Sequence, residues 1–143
     1  MYDYKRLIQS YMLNSRSSKF SNMDVEVSEK DGVVSMHIGS ITIQSSMQIN
    51  KPFYLELDYT QAMSMAVLFL KSPKEILCIG LGGGTIPKFL YKLFARTKLT
   101  ILELNPKVIQ VSKHFFKLPI SKRFNIIKGD GIRYIKKADT EYD

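Results

Sequence analysis

The chain has 143 residues, 45% of them hydrophobic, a single cysteine and a formal net charge of +8. That composition suits a folded protein of one domain, or a small module plus part of a larger one, and it argues against disorder. One cysteine excludes a disulfide framework, and the apolar run 66–70 is far too short to span a bilayer, so the expectation is a soluble, cytoplasmic protein with no secretory leader.

Residues 2–13 place Tyr4, Leu7, Ile8 and Tyr11 on one side of a short helix, followed by a Ser-rich basic linker at 14–21. Residues 24–46 read as an antiparallel β meander. Val25 and Val27 alternate before Asp31-Gly32, a pair that supplies the positive φ of a tight hairpin. Val34, Met36 and Ile38 follow, and then Ile41 and Ile43. After Pro52, Asp58 or Thr60 is expected to cap a helix over 61–70, which Pro73 ends.

From there the pattern changes. Glu75-Ile76-Leu77-Cys78-Ile79 is a nearly unbroken apolar run, as in a parallel strand covered on both faces. A helix follows with Pro87 in its first turn and Ile86, Phe89, Leu90, Leu93 and Phe94 along one face. Residues 99–104 form a second strand, and Asn105-Pro106 opens a second helix carrying Val108, Val111 and Phe115. Residues 124–127 form a third strand and 131–137 a short helix. The order βαβαβα predicts a parallel sheet. Domain boundaries are expected at 1–72, for helix, meander and linking helix, and at 73–143, for a nucleotide-binding half.

The charge is uneven, since residues 73–143 carry all of the +8. A basic half can signal nucleic acid. However, Lys88, Lys92 and Arg96 recur at helical spacing opposite the apolar stripe, as on a solvated helix face, and no arginine-rich run is present. Nucleic acid and membrane are therefore not expected as partners.

Gly80-Leu81-Gly82-Gly83-Gly84 joins the first parallel strand to its helix, where glycines admit a ligand close to the backbone. Thr85 occupies the place where a dinucleotide fingerprint requires Gly or Ala, and the Gly-Lys-Ser/Thr phosphate loop is absent. A nucleoside sulfonium of the S-adenosylmethionine type fits the spacing better. Glu103, at the end of the second strand, is placed to accept both ribose hydroxyls. Asp130, in Gly129-Asp130-Gly131, can accept from an adenine amino group or cap the next helix, and both roles stay open. His37, His114 and Cys78 lie far apart in this topology, so no metal site is expected.

With these motifs in place, residues 24–143 resemble the spermidine synthase (polyamine aminopropyltransferase) family. The resemblance is strongest in 76–86, in Leu102-Glu103-Leu104-Asn105-Pro106-Lys107-Val108-Ile109 and in Lys128-Gly129-Asp130-Gly131. It implies an α/β fold: a small N-terminal antiparallel meander, then the first half of an S-adenosylmethionine-type Rossmann sheet. It implies decarboxylated S-adenosylmethionine as co-substrate, with Gly80, Gly82, Gly84, Glu103, Asp130 and Gly131 around the nucleoside and no metal. Gln44 resembles a family glutamine that touches the nucleoside. Tyr59 and Gln61 resemble residues beside the polyamine substrate, Gln61 more closely. A homodimer and an acceptor such as putrescine are further implications.

Two departures accompany the resemblance. Gly83 stands where the family loop carries an Asp near the aminopropyl end. The family's amine-activating Asp lies on a loop after a fourth strand, and residues 141–143 are where that strand would begin. The expectation is thus a cofactor-binding half with no catalytic residue, a sheet left open along its first strand, and marginal stability. The alternatives are a methyltransferase-like enzyme using S-adenosylmethionine and a non-catalytic nucleoside-binding module.

Overall fold

A computed structural model describes residues 24–137 and 139–143. The helix expected at 2–13 and the linker expected at 14–21 lie outside the described residues. Strands β1 (Val25–Lys30), β2 (Val33–Ile38) and β3 (Ile43–Gln48) form an antiparallel sheet in that order. Asp31 and Gly32 turn the first hairpin with φ of 50° and 75°. The third strand starts later than the sequence suggests, leaving Ile41 fully exposed, and the β2–β3 register shifts at Met36/His37. His37 explains the gap, because Nδ1 bonds the Ile41 carbonyl at 3.0 Å and Nε2 bonds Ser28 at 3.0 Å.

The helix expected over 61–70 is instead α1 (Asp58–Ser64) followed by a 3-10 turn at Met65–Phe69. Leu57 is its N-cap and no side chain caps it, while Asp58 places its negative charge in the first turn. Ser64 Oγ donates to the Thr60 carbonyl at 2.7 Å, a back-bond that competes with helix continuation where the turn tightens.

Strands β4 (Glu75–Ile79), β5 (Lys98–Glu103) and β6 (Phe124–Lys128) form the expected parallel sheet with β5 in the centre. They are connected by α2 (Thr85–Leu93) and α3 (Pro106–Phe115), and α4 (Gly131–Ile135) follows β6. Leu99, Ile101 and Leu102 of β5 are fully buried, as the central strand of a sheet covered on both faces requires. Asn105 caps α3 by accepting from Lys107 N at 2.9 Å. Arg123 closes the C-terminus of α2, donating to the carbonyls of Tyr91 (2.8 Å) and Phe94 (3.1 Å) with its guanidinium 3.4 Å from the Tyr91 ring centre. Val34, Met36 and Met47 of the meander share one buried cluster with Ile76, Leu81, Leu90, Leu99 and Ile101.

Two features bear on the site. β4 is an edge of its sheet, as expected, and Asp143 lies at its N-terminal end. The Asp143 N–H donates to the Glu75 carbonyl at 3.0 Å, and its carboxylate accepts from Lys74 N at 2.7 Å and Glu75 N at 3.1 Å. The second feature corrects the reading of the basic helix face. Lys92 and Arg96 are exposed, but Lys88 is completely buried. Its Nζ donates to the Phe116 carbonyl at 2.8 Å and contacts Met47 Sδ at 3.1 Å. Burial, reinforced by nearby Lys117, lowers the ammonium from its ordinary 10.5 to about 8.

Candidate nucleoside site

The glycine loop runs from the end of β4 into α2, and its shape is fixed from three sides. Gly80, Gly82 and Gly84 have φ of 92°, 50° and 71°, a region where a side chain is strained. From the meander, Ser45 Oγ accepts from Gly83 N at 2.8 Å, and Thr85 Oγ1 reaches the Ser46 carbonyl at 3.4 Å. From α3, the Ser112 hydroxyl donates to the Gly82 carbonyl. From the residue after α3, the Phe116 ring fills the space beside Gly83, where a Cβ would come within 2.5 Å of it. The side-chain direction at 83 therefore leads into the interior, where Phe116 already stands.

Glu103 ends β5 and is partly buried. Its Oε2 accepts from Leu81 N at 2.9 Å and its Oε1 from Asn105 N at 2.8 Å, so the carboxylate is anchored to the glycine loop with lone pairs left over. Gly129 N donates to the Glu103 carbonyl at 2.9 Å, which brings the ends of β5 and β6 together. Asp130 caps α4, its Oδ1 accepting from Ile132 N at 2.9 Å and Arg133 N at 3.1 Å. The capping role is thus taken by Oδ1. Gly131 packs on Ile79, whose Cγ2 would lie 2.6 Å from an added Cβ.

Beside the loop is a cavity of about 180 Å³, lined by Gln44, Ser45, Tyr59, Thr60, Met63, Gly80, Leu81, Gly82, Thr85, Ile86 and Pro87. Gln44 and Tyr59 share one wall, and the Tyr59 hydroxyl donates to the Gln44 carbonyl at 2.9 Å. Burial raises the Tyr59 phenol above its ordinary range. Gln61, which matches the resemblance better, is directed elsewhere: its Nε2 donates to the Leu55 carbonyl at 2.9 Å. It is absent from the cavity wall, and Tyr59 takes that place. Among the described residues, no three His, Cys, Asp or Glu side chains converge.

The sequence reading missed Ser45, Ser112, Phe116 and Lys88. The available signal was weak: a serine at a core-facing position of β3, and a serine inside the α3 stripe.

A family model described as the spermine/spermidine synthase domain matches residues 56–143. The chain belongs to that family. A polyamine aminopropyltransferase of Neisseria meningitidis is 38% identical over 123 residues, covering 85% of this chain and 47% of its own length. The chain thus spans about half the length of that relative. A probable spermidine synthase structure from Corynebacterium glutamicum superposes with a TM-score of 0.72 at 17% identity, over 81% of this chain and 44% of that one, a likeness of fold. Similarity also extends to an eEF1A lysine and N-terminal methyltransferase homolog of Drosophila pseudoobscura, 30% identical over 96 residues but covering 62% of this chain and 14% of that protein. The spermine/spermidine synthase family reading therefore accounts for more of the chain, and relatives of that kind align across most of it.

Proposed function

We propose that the chain forms the nucleoside-binding half of a polyamine aminopropyltransferase that uses decarboxylated S-adenosylmethionine and an amine such as putrescine. The observation that carries this reading is the anchored Glu103 carboxylate, fixed to the glycine loop at Leu81 N beside a cavity walled by Gln44 and Tyr59. Glu103 would accept from the two ribose hydroxyls and Asp130 from the adenine amino group. Gly80, Gly82 and Gly84 would let the nucleoside lie against the backbone, and the cavity would hold the arm beyond the ribose.

In the proposed reaction, the amine nitrogen attacks the carbon next to the sulfonium, the C–S bond breaks, and the sulfur leaves with its electron pair as the thioether of methylthioadenosine. Alkyl amines of this kind hold their proton to a pKa near about 10, so a base must free the attacking lone pair, a contribution of roughly 10²–10⁴ in rate. Asp143 does not suit that task. Its carboxylate is engaged by Lys74 and Glu75 at the opposite end of β4, roughly 13 Å of strand away from the loop.

Glu103→Ala tests the reading. Loss of the anchored acceptor is expected to weaken methylthioadenosine binding by about 1.5–3 kcal/mol, measured by calorimetry on the whole chain. An unchanged affinity would remove Glu103 from the site, and with it the observation on which the proposal stands.

A further inference from the structure

The cavity beside the glycine loop is lined by polar and apolar side chains, none of them charged. The acids close to it are committed to other partners or directed outward. Glu103 has one backbone N–H on each oxygen, its remaining lone pairs being those assigned to the ribose rather than the arm, Glu56 accepts from Gln48 Nε2 at 2.7 Å, and Asp58 is an exposed residue of α1 outside the lining. Residue 83 cannot supply a carboxylate either, because its Cβ direction ends on Phe116.

The remaining field disfavours a cation. Thr85, Ile86 and Pro87 present the N-terminus of α2 to the cavity, the positive end of its dipole. One residue further along the same turn, Lys88 is buried behind the loop, and the chain as a whole carries +8. Among the described lining residues, the Tyr59 ring, half exposed, offers a face that would favour a cation about two- to fivefold. Taking a cation out of water without a paired charge costs more than such a contact returns.

We infer that this site retains a neutral thioether nucleoside better than the corresponding sulfonium. The inference rests on the nucleoside reading above and deepens it. The half-site recognises base and ribose, while its arm-binding cavity prefers the uncharged sulfur that the transfer leaves behind. Holding the cationic co-substrate then requires a negative group beyond the present lining.

A minimal pair tests this on the whole chain: methylthioadenosine, and the same nucleoside S-methylated to the dimethylsulfonium, which differs by one methyl group and one charge. Calorimetry at neutral pH is expected to show the thioether bound about fivefold tighter or more. Met63→Glu places a carboxylate at the cavity rim on a side chain that is 60% exposed, so the fold should tolerate it. It should narrow the gap about two- to fivefold, as an exposed ion pair does. Gly83→Asp should leave the gap unchanged and lower the melting temperature. A sulfonium bound as tightly as the thioether by the native chain overturns this inference and leaves the nucleoside reading intact, as does a Gly83→Asp chain that gains sulfonium affinity. Failure of both compounds to bind overturns the nucleoside reading, and this inference with it.

Discussion

The two three-stranded sheets bury different chemistry. In the parallel sheet, Leu99, Ile101 and Leu102 of β5 are apolar and fully covered, and helices lie against it. In the antiparallel sheet, the buried positions of β2 and β3 include Ser35, Ser45 and Ser46 between Val34, Met36 and Met47. Ser45 shares the core face with Met36 and Met47, whereas Ser35 and Ser46 pair on the opposite face at 3.3 Å, so one core-facing position of the meander carries a hydroxyl. Ser45 meets Gly83 N, the Ser46 carbonyl meets Thr85, and Met47 meets Lys88. Both sheets contribute to one buried cluster, and the meander in addition holds the glycine loop in shape.

The largest expected effect breaks the first half of that contrast. Ile101→Ala removes three buried carbon atoms at the centre of β5 and should cost about 2–5 kcal/mol in denaturant unfolding. Ile43→Ala in β3, at a side chain 46% exposed, should stay within about 0.5 kcal/mol. Comparable losses at the two positions would mean that Ile43 is packed as Ile101 is, against its exposure.

The next effect sharpens the second half. Gly83→Ala drives a methyl into the Phe116 ring at 2.5 Å and against Ser45 Cβ at 3.0 Å, and should cost about 1–3 kcal/mol. Gly129→Ala, at a glycine with open space around it, should be nearly neutral. Phe116→Leu should recover part of the Gly83→Ala loss. A neutral Gly83→Ala variant would show that the loop is not wedged between meander and α3.

The elements were legible in the sequence where their signals are local. The run 75–79 is apolar and bounded by charge and glycine, and it is β4 with those limits. Asn105-Pro106 and Asp130 announced helix starts by short-range bonds to N–H groups two or three residues on, and both caps are present. The family's loop, acid and Gly-Asp-Gly turn follow each strand at the C-terminal side of the sheet, which is how three distant segments come to one place. What stayed hidden depends on contacts remote in sequence. Lys88 shares helical spacing with exposed Lys92 and Arg96, yet the meander and the end of α3 cover the first turn of α2 alone, with a carbonyl 28 residues away as its partner. Gln61 and Tyr59 are two residues apart on a seven-residue helix, so the side each faces depends on where α1 begins. With Leu57 as an N-cap lacking a side-chain bond, that start had no strong local mark.

The smallest effect follows from the buried ammonium where the two sheets meet. Lys88 titrates at about 8 in the folded chain against 10.5 when unfolded. Below pH 8 both states hold the proton, and this group gives stability no pH dependence. Above pH 8 the unfolded state binds the extra proton, so stability should rise with pH, by about 1.4 kcal/mol at most per unit. Cys78 acts in the opposite sense. Burial raises its thiol from 9 to about 11, so above pH 9 the folded state holds a proton that the unfolded state has released, and stability falls. The two together predict a rise between pH 8 and 9 that flattens above 9. Urea midpoints at half-unit steps would trace it. Lys88→Met, close in length and without the titrating group, should abolish the rise, although the Phe116 carbonyl loses its donor and overall stability drops. Cys78→Ala should let the rise continue above pH 9. A native chain whose stability is flat between pH 8 and 9 would mean that the Phe116 carbonyl, at the C-terminal end of α3, holds the Lys88 charge better than its burial suggests.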